Sequence, residues 1–249
     1  MPLDEIPPLY WTSEVPTLRA RFTETLSTLR EVVLMPRDIR RKLPADVREG
    51  CDVVVLVHGF FASAGVFRPM KRRLVDEAKT KVASFTYAPG PGIARIAKSL
   101  ATLVESMPRA CRIHLVGHSL GGLVARWYVQ ELGGHERVTQ TVSLGSPFGG
   151  TERARPFPLL VGRELCRTSP LLARLRARAH EHDVPHTSIV GEADTLIVPS
   201  ESAVFPRGDV VVLPKLGHNT LLFAPESINA VVERVVYWTA TSGKSSART

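Results

Sequence analysis

The chain has 249 residues, 44% of them hydrophobic and 22% charged, which is enough to bury one full core and excludes a disordered chain. Its net charge of +8 suits an anionic surface without demonstrating one, and no aromatics interleave with the basic residues as a single-strand nucleic-acid groove would require. No apolar run reaches the length of a membrane span, and the opening Pro2, Asp4, Glu5, Pro7 and Pro8 lack the basic and apolar regions of a secretory signal, so a cytoplasmic protein is expected.

Residues 1–50 read as an N-terminal extension with one helical segment, roughly Val15 to Leu34. Leu18, Phe22, Leu26, Leu29 and Val33 recur at steps of four and three and form one apolar stripe. The stripe is expected to pack on the domain. Glu24 and Glu31 sit among the arginines, so the polar face is not the strongly basic one that anionic lipid selects. From residue 52 onward, strand and helix patterns alternate as a parallel α/β sheet requires. Val53 to Val57 is a continuous β-branched and leucine run, the pattern of a strand buried on both faces. Val66 to Ala78 reads as helix and Lys81 to Tyr87 as strand. Ile93 to Met107 presents a helical apolar face closed by Pro108. Ile113 to Val116 reads as strand, followed by a helix from Leu120 to about Leu132 that Gly133-Gly134 stops. Val138 to Leu144 is the next strand.

The segment Thr151 to Asp183 breaks the alternation. It holds Phe157-Pro158-Leu159-Leu160-Val161, a helix opened by Ser169-Pro170, and seven arginines between Arg153 and Arg178 that read as a solvated helical face. Thr187 to Val190 and Val210 to Leu213 are two further strands, and Pro225 to about Trp238 is a last amphipathic helix. Residues 242–249 read as a flexible polar tail. Cys51, Cys111 and Cys166 lack metal-ligand spacing and read as reduced thiols. Cys51 and Cys111 precede neighbouring strands, where a bridge is the alternative.

Chemistry concentrates in Gly117-His118-Ser119-Leu120-Gly121-Gly122, at a strand-to-helix junction. A serine between glycines there is a nucleophile elbow, a turn so sharp that side chains at the glycine positions would collide with neighbouring backbone. A serine hydroxyl needs a base, and the base needs an orienting acid, both on loops after later strands. His218, in Leu216-Gly217-His218-Asn219, fits the base; His180, His182 and His186 precede the penultimate strand. Asp194, beyond strand Thr187 to Val190, is the acid of choice, with Glu192 on the same turn as its rival. An oxyanion hole needs two backbone donors, expected from Leu120 and, through the loop His58-Gly59-Phe60-Phe61, from Phe60.

Together with Leu144-Gly145-Ser146-Pro147-Phe148-Gly149-Gly150-Thr151, these motifs resemble the α/β-hydrolase superfamily, and within it the small bacterial triacylglycerol lipases and esterases. The resemblance covers roughly residues 52–240. It implies an α/β-hydrolase fold over residues 51–241, with a mostly parallel central sheet, helices on both faces and a short cap or lid at about 151–183. It further implies a Ser119–Asp194–His218 triad and ester hydrolysis through an acyl-enzyme, with no cofactor and no metal. The chain departs from the family at Phe148-Gly149, where a His-Arg pair is frequent, and no spare aspartates cluster near His218 to form a calcium site. Phe61, Phe67, Phe148 and Leu159 are expected to bind substrate in an apolar acyl pocket, although any one aromatic is as readily core. The expected activity is a serine carboxylester hydrolase acting on medium- to long-chain acyl esters; an acyltransferase, a lysophospholipase or a thioesterase on the same triad is the alternative. Expected partners are a small-molecule ester or lipid and transient contact with a lipid surface, and no nucleic acid.

Overall fold

The alternation of strand and helix patterns becomes one parallel sheet in the computed structural model, which describes residues 17–37, 43–44, 46–154 and 160–245. Its strands are β1 (Asp52–Val57), β2 (Lys81–Phe85), β3 (Arg112–His118), β4 (Val138–Leu144), β5 (His186–Gly191) and β6 (Asp209–Leu213). They lie in the order β2-β1-β3-β4-β5-β6. The helices are α1 (Leu18–Leu34), α2 (Arg68–Asp76), α3 (Ile93–Glu105), α4 (Leu120–Glu131), α5 (Leu160–Glu164), α6 (Pro170–Ala177) and α7 (Pro225–Ser245). This is the α/β-hydrolase arrangement that the motifs imply.

The uninterrupted run in β1 has a direct cause. Side chains alternate across a strand, so Val53, Val55 and Val57 enter the layer shared with α3, α4 and α6, while Val54 and Leu56 enter the layer under α2 and α7. Neither face meets water. The segment after Thr151 is fastened to the domain wherever it is described. Glu164 accepts the Ile93 N–H at the start of α3 (2.7 Å), where the helix dipole favours a carboxylate. Arg174 and Arg178 both reach Glu131 of α4 (2.7 Å each), so two of the clustered arginines tie α6 down. Helix α7 continues past Trp238 to Ser245, so the expected tail begins as helix, and residues 246–249 lie outside the described residues. Cys51 and Cys111 are free thiols with their sulfurs 3.5 Å apart. No helix among the described residues is long and apolar enough to cross a membrane.

Helix α1 overturns one expectation. It packs on the domain, but with its polar side inward. Ala20 and Ser27 are buried, whereas Leu18, Phe22, Leu26, Leu29 and Val33 are 49% to 86% exposed. Burying such side chains would each contribute about 1.5–3 kcal/mol, so something must offset that loss. The inward face meets a polar receptor. The Glu24 carboxylate accepts the backbone N–H of Asn219 (2.7 Å) and both the N–H and the hydroxyl of Thr220 (3.0 and 2.7 Å). Thr28 accepts from the Asn219 side-chain amide at 2.9 Å. Past the helix end, the Ser63 hydroxyl donates to the carbonyls of Met35 and Arg37 (2.7 and 2.9 Å). Charged and buried hydrogen bonds of this kind outweigh the periodic apolar pattern, because the N–H groups beneath would otherwise stay unsatisfied.

Candidate active site

The ends of β1, β3, β5 and β6 converge on one edge of the sheet, and each contributes a candidate residue. After β3, Ser119 takes φ 53° and ψ −121°, a left-handed conformation that only a constrained turn imposes on a serine. Its N–H is held by the Leu144 carbonyl at 2.9 Å, and α4 begins with the next residue. The flanking glycines are obligatory. A Cβ on Gly121 would fall on the Val57 carbonyl, and one on Gly117 would fall on the Gly121–Gly122 backbone.

Beyond β5, one Asp194 oxygen accepts the N–H groups of Leu196 and Ile197 (2.8 Å each), and the other accepts Nδ1–H of His218 at 2.7 Å. Both side chains are almost fully buried. Of the two acids on this turn, Asp194 is the one that meets the ring. The proton this bond fixes on Nδ1 leaves Nε2 as the basic nitrogen. Behind the ring, His118 donates from Nε2 to the His218 carbonyl (3.1 Å) and is kept neutral by burial and by the nearby His218 charge.

On the β1 side, Gly59 lies so close to Ser119 that a Cβ there would stand 3.1 Å from the serine Cβ. Its loop is locked by His58. The ring donates from Nδ1 to the Gly59 carbonyl (2.7 Å), accepts the Tyr87 N–H at Nε2 (3.2 Å) and stacks on Tyr87 at 4.0 Å. Burial pushes the His58 pKa down to about 4, so this brace is neutral across the physiological range.

Ser119 and His218 line a cleft of about 260 Å³ whose walls include Phe60, Phe61, Leu165, Leu196, Ile197 and Glu31. Phe61 lines it, half-exposed and at φ 56°. Phe67 and Phe148 do not. Both are fully buried elsewhere, Phe67 in the core layer with Met70 and Leu74 of α2, and Phe148 against His186 and Phe205. Leu159 lies outside the described residues. Among the described residues no group of His, Cys, Asp or Glu could hold a metal ion.

Two carboxylates of α1 complete the site, and sequence reasoning had assigned both to solvent. Glu24 grips the two residues after His218, as described above. Glu31 faces the cleft, where burial pushes its pKa up to about 7 against the attraction of His218, with repulsion from Glu24 adding to the rise. Burial works against a charged His218 ring, but Asp194, by charge and by hydrogen bond, holds its pKa above the ordinary histidine value, with Glu24 and Glu31 contributing. A base must be unprotonated to act, so a raised pKa means activity lost as pH falls through it. Glu31→Gln removes one negative charge facing the ring. It is expected to move the acid limb of the kcat/KM–pH profile to lower pH and to leave the alkaline plateau within about two-fold. A limb that stays in place would show that Glu31 does not act on the base.

The sequence profile described as palmitoyl protein thioesterase matches residues 53–183 of this chain. Among solved structures, a lipase of Bacillus licheniformis in its mature form aligns with 78% of this chain and 96% of its own, at 14% identity and a TM-score of 0.65. Lipase B of Aspergillus fumigatus aligns over 78% of this chain and 55% of its own, at 17% identity and a TM-score of 0.63. A thermophilic esterase from Thermogutta terrifontis aligns over 81% and 98%, at 17% identity and a TM-score of 0.53. At such identities these likenesses speak for the fold.

Proposed function

The chain belongs to the palmitoyl protein thioesterase family of α/β-hydrolases, and from that premise we propose that it hydrolyses medium- to long-chain acyl esters through an acyl-enzyme on Ser119. The observation that carries the reading is the 2.7 Å Asp194–His218 bond, with His218 and a serine on a strained elbow lining one apolar cleft. Nε2 of His218 takes the Ser119 proton as Oγ bonds to the acyl carbon, and the carbonyl pair moves onto oxygen. The Phe60 and Leu120 amides stabilise that oxyanion, a donor of this kind being worth about 3–4 kcal/mol. The tetrahedral species collapses, the bond to the leaving oxygen breaks, and His218 returns the proton to it. Water then repeats the sequence and releases the acid.

The cleft volume bears on chain length. At about 260 Å³ it falls just below the ~300–1,000 Å³ of ordinary ligand pockets. It encloses the carboxyl end of a long chain, and the remainder passes over half-exposed Phe61 and Leu196 at the rim. The family match favours a second reading, a thioester substrate. A thiolate leaves with less help from a proton donor, since thiols ionise near pH 8.5, about 7 units below water.

The test is initial rates on p-nitrophenyl esters from short to long chains, and on palmitoyl-coenzyme A with a thiol reagent, for wild type beside Ser119→Ala. Serine-dependent turnover rising towards longer esters is the expected result. Turnover confined to the thioester would move the second reading ahead, and equal inactivity of both proteins on every substrate would overturn the hydrolase assignment.

A further inference from the structure

The residues just ahead of β1 and β3 set two sulfurs side by side. The strands pair in parallel with Asp52 opposite Arg112, and the Arg112 N–H donates to the Cys51 carbonyl at 3.0 Å. Cys51 and Cys111 therefore stand opposite one another at one strand spacing, about 4.8 Å, inside the Cα separation of about 4.4–6.8 Å that a disulfide spans. Side chains in register share a face, and both thiols enter the layer that holds Val53, Val55, Ile113 and Leu115. Their sulfurs are 3.5 Å apart, so closure to a bond of about 2.05 Å is a matter of side-chain rotation on a fixed backbone.

The two thiols differ in access. Cys51 is partly exposed, whereas Cys111 is buried and donates its proton to the Arg48 carbonyl at 3.1 Å. Burial and the neighbouring Cys51 thiol both hold the Cys111 proton more tightly than in a free thiol. Attack on a small disulfide arriving from solvent thus falls to Cys51, and Cys111 stands behind it as the resolving thiol.

We propose that Cys51 and Cys111 form a thiol–disulfide exchange site, at which a low-molecular-weight disulfide such as oxidised glutathione closes a covalent clasp between the starts of β1 and β3. The Cys51 thiolate bonds to one sulfur of the reagent, whose S–S bond breaks and releases one small thiol. Cys111 gives up its proton, bonds to Cys51 Sγ and expels the second half. The protein loses two electrons and two protons, and the reagent gains them as two thiols. The clasp joins positions 60 apart in sequence and so restricts the unfolded chain between them. Both strands carry candidate site residues at their other ends, the Gly59–Phe60 loop after β1 and Ser119 after β3, about 20 Å away along six residues of strand. Oxidation therefore stabilises the frame of the site and leaves its chemistry untouched. The proposal does not depend on the hydrolase reading.

The experiment incubates the reduced, folded full chain with oxidised glutathione, counts free thiols by alkylation and intact mass, and locates them by peptide mapping. Cys166, whose thiol donates to the Gly162 carbonyl at 3.4 Å, is the internal comparison. Cys51→Ser and Cys111→Ser accompany wild type, with far-ultraviolet dichroism to report folding. Wild type is expected to lose two thiols per chain, to yield a linked Cys51–Cys111 peptide and to melt about 4–16 °C higher, all reversed by a dithiol reductant. Cys111→Ser is expected to stop with one glutathionyl group on Cys51, and Cys51→Ser to leave Cys111 unmodified. The wild-type peptide map decides the matter even if a serine variant fails to fold. Wild type that keeps both thiols free, stops at a mixed disulfide or bridges through Cys166 would overturn the proposal. So would a Cys51–Cys111 bridge that leaves the melting temperature where it was.

Discussion

Glycine in place of Ser119 is expected to abolish turnover and to raise the melting temperature of the same protein. The first effect follows from loss of the nucleophile, which on a triad costs about 10⁶-fold in kcat. The second follows from the backbone. Ser119 sits at φ 53° and ψ −121°, where an L-residue pays strain and glycine does not. Such strain is worth about 1–3 kcal/mol, and the greater freedom of glycine in the unfolded chain takes back about 0.4–1 kcal/mol. A net gain of about 1–2 kcal/mol raises Tm by about 2–8 °C in a domain of this size. Ser119→Ala is the control: equally inactive, but still carrying a Cβ in the strained conformation and so without the gain. Calorimetry on the three proteins checks this. A glycine variant no more stable than the alanine variant would show that the elbow is relaxed.

Asp194→Asn is expected to lower kcat by about 10⁴-fold with the fold intact. The side-chain amide has two orientations, and the structure selects one. Oδ1 of Asp194 receives the N–H groups of Leu196 and Ile197, so the amide oxygen must occupy that position. The NH₂ group then points at Nδ1 of His218, where a donor meets a donor unless the ring gives up its Nδ1 proton. The ring is driven to the other tautomer, with hydrogen on Nε2, the nitrogen that should accept from Ser119. The variant therefore keeps its catalytic side chains in place and loses the base. Nitrogen NMR of the ring distinguishes the two tautomers, and turnover measures the consequence. Wild-type-like activity in this variant would remove Asp194 from the mechanism.

The sheet was most legible in the sequence where burial on both faces left no room for polar residues, as in Val53–Val57. The elbow was legible because close backbone approach restricts Gly117 and Gly121 so severely that few other sequences would serve. His218 and Asp194 followed from their places after β6 and β5. The face that α1 buries was not legible. Periodicity says that Leu18, Phe22, Leu26, Leu29 and Val33 share a side, and burial of that side is the ordinary outcome. The opposite outcome was decided by unsatisfied N–H groups at Asn219 and Thr220, which no local pattern connects to Glu24. Phe67 and Phe148 failed as cleft residues for a related reason. Nearness in sequence to the oxyanion loop and to the turn after β4 does not say which way a ring points. The ring of Phe148 turns to the buried His186 and Phe205.

The grip of Glu24 on Asn219 spans 195 positions of chain, and that separation orders events in time. A ribosome adding about 5–20 residues per second makes α1 roughly 10–40 s before the loop it will clamp. Through most of that interval only the end of the helix has a partner, at Ser63, and the stretch bearing the candidate base has not been synthesised. The candidate site is therefore completed last, by closure of an early element onto a late one. A nascent or truncated chain that already displays the serine elbow still lacks the residues that would make it a nucleophile.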